Sequence, residues 1–266
     1  GYRWYSSSDN YTTSIVGATA ATFWPTGPLT STTSFRRYAR NYFCDTVLIA
    51  STGTWTVTVR PEFTAGAIAT TGETICNNGN PSLIGSTTAA SGGDNAISYQ
   101  WQWMPGDTDA PPDWIDIDDA TSSTYDPPPG LTASTKYRRT AKDGTCNTTF
   151  TASSGEWVVT VRPDFTTGAI NTTGETICYN GNPAQIGSST AASGGDNVIS
   201  YQWQKSTTSS STGFADIGSA TGSTYDPPTG LTATTWYRRM AKDGTCNTTF
   251  TASTGVWQVT VRDNFT

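Results

Sequence analysis

The chain has 266 residues, of which only 14% are charged, with a net charge of −6 and a pI near 4.5. An acidic chain without a cluster of Lys and Arg is a poor partner for nucleic acid, whose affinity rests on neutralised phosphates. There is no histidine, which removes the commonest general base, the commonest zinc ligand and every Ser-His or Cys-His nucleophile pair, so neither an enzyme nor a cofactor is expected. Abundant Thr, Ser and Gly favour short strands and turns over helices. No stretch approaches the roughly 20 apolar residues of a membrane helix, so no membrane span is expected. The chain opens on Gly1 rather than Met, which reads as a cut or processed start.

In chain order, the first 60 residues read as the back half of a unit that then occurs twice in full. "YRW" at Tyr2 to Trp4 matches "YQW" at Tyr99 to Trp101, and Cys44 and Trp55 match Cys146 and Trp157. Cys76 and Trp101 recur 102 residues on as Cys178 and Trp203, while Tyr125, Arg138, Cys146 and Trp157 recur 100 residues on as Tyr225, Arg238, Cys246 and Trp257. The two-residue loss falls where "WMPGDTDAPPDWIDIDD" faces "KSTTSSSTGFADIGS", and a place that accepts rewriting and a length change is a surface loop. A period near 100 is that of a whole small domain. The expected units are 1–60, the C-terminal part of a module; 61–162 and 163–262, complete modules; and 263–266, the start of another linker.

Within a unit, apolar and polar residues alternate. Tyr99, Trp101 and Trp103 share one face of "ISYQWQW"; Tyr137, Arg139 and Ala141 share one face of "TKYRRTAK"; Trp157, Val159 and Val161 share one face of "GEWVVTVR". Turns rich in Gly, Pro and Asp separate these runs: "SGGDN", "DPPPG" and "KDG". The pattern predicts an all-β chain of antiparallel β-sandwiches in tandem. "GLTASTKY" resembles the Leu-plus-Tyr corner of immunoglobulin-like and fibronectin III-like sandwiches, in which a strand Tyr hydrogen-bonds back to the backbone. The resemblance implies that role for Tyr137 with Leu131 and for Tyr237 with Leu231; the first module has Phe35 there. It also implies that Trp101 and Trp203 are buried strand tryptophans.

Taken together, "ETICNNGNP", "ASGGDNAISYQWQ", "STYDPPPGLTASTKYRRTAKDGTC" and "WVVTVRP" resemble the tandem immunoglobulin-like repeats of giant secreted surface proteins and adhesins of Bacteroidetes-type bacteria, a class often exported by a type IX route. The resemblance spans the chain. It implies an extracellular, cell-surface protein; such modules occur in adhesins, in gliding filaments and as spacers in enzymes.

Each full module owns an early and a late cysteine. Intramodule disulfides Cys76–Cys146 and Cys178–Cys246 are expected, with Cys44 pairing upstream, in an oxidising setting; an inter-module or interchain bridge is the alternative. Six tryptophans at repeated positions (Trp4, Trp101, Trp203, Trp55, Trp157 and Trp257) read as core. The unrepeated Trp24, Trp103, Trp114 and Trp236 are expected at the surface, as local packing, a sugar-stacking platform or a contact with another chain. No metal is expected; in the variable loop, Asp107, Asp109, Asp116 and Asp118 are weak calcium candidates whose spacing matches no EF-hand. Linkers "VRPEF" and "VRPDF" leave little slack, and Phe63, Phe165 and Phe265 read as plugs between modules. Stiff joints predict an extended rod. The function that follows is a structural stalk of a secreted fibre or adhesin, spanning distance and bearing load, as a homo-oligomer or fibre of identical chains. The alternatives are modules that bind a glycan or a host surface, and a spacer of a larger secreted enzyme.

Overall fold

In the computed structural model, which describes residues 1–44, 46–106 and 113–263, strands account for nearly all regular structure, apart from a single 3-10 turn at Ser7–Asp9. The first unit contributes β1 (Tyr2–Ser6), β2 (Thr33–Ala39), β3 (Ile49–Ala50) and β4 (Trp55–Val57). The second contributes β5 (Ala67–Ile68), β6 (Glu73–Ile75), β7 (Ser86–Thr88), β8 (Ser98–Pro105), β9 (Ile115–Asp116), β10 (Thr135–Lys142), β11 (Thr151–Ala152) and β12 (Trp157–Val161). The third repeats that series as β13 (Ala169–Ile170), β14 (Glu175–Cys178), β15 (Ser188–Thr190), β16 (Ser200–Ser206), β17 (Ala215–Asp216), β18 (Thr235–Lys242), β19 (Thr251–Ala252) and β20 (Trp257–Arg262).

Each full unit is a two-layer sandwich. The larger sheet runs β6-β12-β10-β8-β9, with β11 also on β10, and the smaller layer is the β5-β7 pair, extended by a bridge from Ile84 to Tyr125. The third unit has the same order. One pairing departs from the antiparallel expectation: β6 runs parallel to β12, with Val161 opposite Ile75, and β14 runs parallel to β20. The chain reaches that position by crossing from the small sheet to the large one at Gly72, which has φ +60 and where a Cβ would stand 2.5 Å from the Val158 carbonyl oxygen. Only glycine accepts both the left-handed backbone and that approach.

The alternation read from the sequence supplies the core. Ile68, Ile84, Trp101, Tyr137, Trp157 and Val159 pack together between the layers, as do Ile170, Ile186, Trp203, Tyr237, Trp257 and Val259. The rings run Trp101–Tyr125–Tyr137 with centroids 5.6 Å apart at each step, within the range of favourable aromatic pairs. Trp101 Nε1 donates to the Ser122 carbonyl at 2.9 Å. In the third unit the tyrosine corner does not form as expected: Tyr237 buries its ring in the core, and its hydroxyl has no hydrogen-bond partner among the described residues. Its ring packs against Tyr225, with 5.7 Å between centroids.

The first unit holds counterparts of β8, β10, β11 and β12 only. Phe23 takes the Tyr125 place between Trp4 and Phe35. No described residue there corresponds to β5, β6 or β7, so Trp4 is half-buried and Trp55 is 49% exposed where Trp157 is 8%. The expectation that all six repeated tryptophans are core therefore holds for four of them.

Candidate functional site at the module junction

The residues that matter most for joining units are backbone and loop groups. Arg162, at the end of β12, donates its N–H to the Ile75 carbonyl of its own unit at 2.9 Å, while the carbonyl of Pro163 accepts from Gly195 N–H in the next unit at 2.9 Å. Two consecutive linker residues are thus bonded to two successive modules, and no slack remains between them. Pro61 and Gly93 repeat the second contact at 2.8 Å.

The "GGD" turn and the "KDGTC" loop lock together at the entry end of each module. In the second unit, Asp94 accepts from the Gly144 N–H at 3.1 Å and from the Thr145 hydroxyl, and pairs with Arg60 of the linker at 3.5 Å. Asp143, fully buried, accepts from the N–H groups of Thr145 (2.7 Å), Cys146 (2.6 Å) and Asn147 (3.0 Å). Gly93, at φ +57, lies so close to that carboxylate that no side chain fits between them. Asp196 and Asp243 repeat the arrangement around Cys246. Sequence reading treated these motifs as turn punctuation; their pairing appears only once the two loops are adjacent.

Cys76 bonds to Cys246 of the following module, 170 residues on, with a Cα–Cα distance of 5.5 Å. The expected pairs Cys76–Cys146 and Cys178–Cys246 do not form, and Cys44, Cys146 and Cys178 are exposed free thiols. The parallel β6–β12 pair explains this. Cys76 follows β6, so it emerges where β12 leaves the module, beside the start of β10: the Val161 N–H bonds Ser134 Oγ at 3.0 Å. Cys146 lies just beyond the far end of β10, an eight-residue strand and so roughly 25 Å away, against the roughly 4.4–6.8 Å that a disulfide spans. The early cysteine marks the exit of one module and the late cysteine the entry of the next. Phe165 lines the cleft of about 140 Å³ at this joint, with Cys76, Asn77, Pro163, Asp164, Cys246 and Asn247. Phe63 is half-buried, and Phe265 lies outside the described residues. A thiol assay on the denatured, unreduced chain is expected to count three free thiols; two intramodule bridges would leave one.

Above and below the joint, paired arginines tie each sandwich together. Arg139 is fully buried without a carboxylate partner among the described residues. Its guanidinium donates to Ser153 Oγ (3.1 Å), Ser86 Oγ (2.8 Å), the Ser123 carbonyl (2.8 Å) and the Thr88 carbonyl (3.3 Å), and stacks over Tyr99 at 4.6 Å. Arg239 repeats the set. On the outer face Arg138 covers Trp114 at 4.4 Å and bonds Gln102, which in turn donates to Asp116. In the third unit Phe214 takes the Trp114 place under Arg238 at 4.2 Å, a correspondence that the loop's length change hides in the sequence.

The four unrepeated tryptophans do not form one surface. Trp24 is 85% exposed on the first unit, and Trp236 is half-buried on the third. Trp114 lies against Arg138 on the outer face, whereas Trp103 lines a cleft of about 310 Å³ at the open end of the core with Ile117, Tyr125, Leu131 and Tyr137. Asp107 and Asp109 lie outside the described residues; Asp116 serves Gln102, and Asp118 is exposed. Among the described residues no cluster of acidic or sulfur ligands could hold a metal, and no helix is long and apolar enough to cross a membrane.

Titration of these groups sets a stability window. Burial opposes ionisation of Asp143, but the three backbone N–H donors outweigh it and hold its pKa below the usual carboxylate value; the Thr245 hydroxyl and the Val198 N–H do the same for Asp196. A depressed carboxylate stabilises the fold above the unfolded value of about 4 and loses that contribution as pH falls through its folded value. Burial pushes Tyr137 and Tyr237 up to about 12, so their contribution is complete below about pH 10 and is lost as pH climbs towards 12. Urea midpoints are expected to be flat between about pH 5 and 10 and to fall on both sides; an acid limb that stays level to pH 2 would contradict the carboxylate assignment.

Solved structures that align with the chain include a three-domain immunoglobulin segment of titin (8% identity, 99% of this chain and 88% of that one, TM-score 0.42). Extracellular domains 3–5 of Drosophila OTK align at 11% identity over 87% of this chain and 71% of theirs, with TM-score 0.33. A Ca2+-stabilised adhesin that helps an Antarctic bacterium reach out and bind ice aligns at 17% identity over 89% of this chain, which spans 58% of that one, with TM-score 0.39. No curated protein sequence matches. The family model for a domain of unknown function (DUF8696) matches three times in succession, at residues 1–61, 64–163 and 166–263.

Proposed function

The chain belongs to the family described as a domain of unknown function (DUF8696), and from that premise we propose that its modules, with folding units at 61–162 and 163–262, form the stalk of a secreted cell-surface fibre or adhesin. The observation that carries this reading is the covalent joint: Cys76–Cys246 fastens consecutive modules across a linker already bonded to both. A protein that only needed separate binding units would gain nothing from such a joint, whereas a strut that spans distance and bears load does. A persistent disulfide supports an oxidising, extracellular setting, as does the resemblance to type IX-exported surface proteins of Bacteroidetes-type bacteria. Side-by-side packing of identical chains is the assembly that suits modules with neutral, Thr-rich faces. No catalytic role is proposed. Immunogold electron microscopy of intact source cells, with antibody against residues 61–262, is expected to label extracellular fibres. Label confined to permeabilised cells would overturn the reading.

A second reading has its own observation. The Trp103 cleft is apolar, and Lys205 stands at the Trp103 position in the third unit, so the middle module alone offers this indole. It suits the apolar face of a sugar ring on a polysaccharide or host surface. Glycan-array binding that disappears in Trp103→Ala would favour it.

A further inference from the structure

The connectivity of the bridge has a mechanical consequence that the stalk role by itself does not contain. Tension entering at the N-terminus follows the backbone to Cys76, and there the shortest covalent route runs through sulfur to Cys246. Residues 77–245 are bypassed, including β7 to β12 of one module, the entire linker and β13 to β18 of the next. We infer that Cys76–Cys246 is a covalent bypass that takes this linker and most of both sandwiches off the load path, so that neither unfolding nor a single backbone cut within them separates the two ends.

Intramodule pairing could not do this. Loops closed at 76–146 and 178–246 leave residues 147–177, the linker among them, as a single uncovered strand. The observed staple covers that segment. Cys178 stands where Cys76 stands, and Cys146 where Cys246 stands; both are exposed. In an array that repeats the staple, each loop begins before the previous one closes, here at 178 against 246. Every peptide bond then lies inside at least one loop, and the array resists both stretching and proteolytic nicking. The benefit to a fibre rests on the stalk reading, but the bypass is a property of the chain and is tested separately.

The test uses the whole chain with Cys146→Ser and Cys178→Ser, which removes the exposed thiols that could cross-link around the linker, and with a site-specific protease sequence inserted after Thr173, in the exposed segment between β13 and β14. After complete cleavage the two pieces are expected to migrate as one species without reductant and to separate with it. Separation without reductant overturns the proposal. A second measurement stretches the uncut chain between its ends at forces that unfold every module. Before reduction the extensible contour comprises residues 1–76 and 246–266, roughly 350 Å, and after reduction the full 266 residues give roughly 950 Å, a gain of about 2.7-fold in one step. Applied to the unsubstituted chain, two releases of roughly 250 Å each would identify intramodule loops instead, and no release at all would show that no bridge exists. Either result overturns the bypass while leaving the surface location of the protein to its own experiment.

Discussion

Replacing Arg239 with leucine is expected to lower the stability of the third module by about 4 kcal/mol, the range seen when a buried polar network loses its centre. The guanidinium is fully buried and reaches from β18 to the other layer, so its loss takes the donor from Ser188 Oγ, Ser253 Oγ and the Ser223 carbonyl and leaves the Thr190 carbonyl with the Ser188 hydroxyl alone among its side-chain donors in the described residues. For a domain of this size the change corresponds to roughly 15–30 °C in melting temperature. Arg239→Lys is expected to lose most of the same stability, because a single ammonium cannot reproduce a planar fork that serves several acceptors. Arg37 in the first unit makes the control. It is half-buried, hydrogen-bonds Ser51 Oγ at 3.2 Å and the Ala21 carbonyl at 2.9 Å among the described residues, and lies over the Tyr2 ring at 5.1 Å, so Arg37→Leu is expected to cost about 1 kcal/mol. Equal costs at the two positions would mean that the inter-layer bonds of Arg239 contribute little.

Trp203→Ala is expected to cost about 3–5 kcal/mol, the range for emptying a large aromatic site in a packed core. The indole is completely buried between Ile170, Ile186, Tyr225 and Tyr237, and its Nε1 donates to the Gly222 carbonyl at 2.9 Å. The instructive comparison is Trp55→Ala. Trp55 occupies the repeat position of Trp157, yet it is 49% exposed because no β5–β7 layer lies over it. Its removal is expected to cost about 1 kcal/mol, in proportion to the smaller area withdrawn from water. Denaturant midpoints for Trp55→Ala and for Trp257→Ala, its buried counterpart in the third unit, read with the change in intrinsic fluorescence of the affected unit, separate burial from sequence position. A large loss for Trp55→Ala would show that some other segment covers the first unit in solution.

The sequence alone determined the three longest strands of each full unit, the repeat and most of the core. Period-two alternation placed Tyr137, Arg139 and Ala141 on one face, and all three are buried in the structure. Repetition of Trp101 as Trp203 and of Trp157 as Trp257 marked four side chains that fill the same space in each copy. These signals are local: they depend on which side of a strand a residue faces, and that is written in its immediate neighbours. Which end of a sandwich a residue occupies is not written there. Repeat spacing showed that Cys76 and Cys178 are equivalent, and Cys146 and Cys246 likewise, but equivalence is blind to distance between the two classes. The tertiary structure decided the pairing, because Gly72 carries the chain across to a parallel seat beside β12 and so delivers Cys76 to the exit of its module. The same global placement brought "GGD" against "KDGTC" and put Phe214 where Trp114 stands in the sister module. Side-chain facing follows from a few adjacent residues, whereas contacts between loops some 50 to 170 residues apart exist only after both sheets have closed.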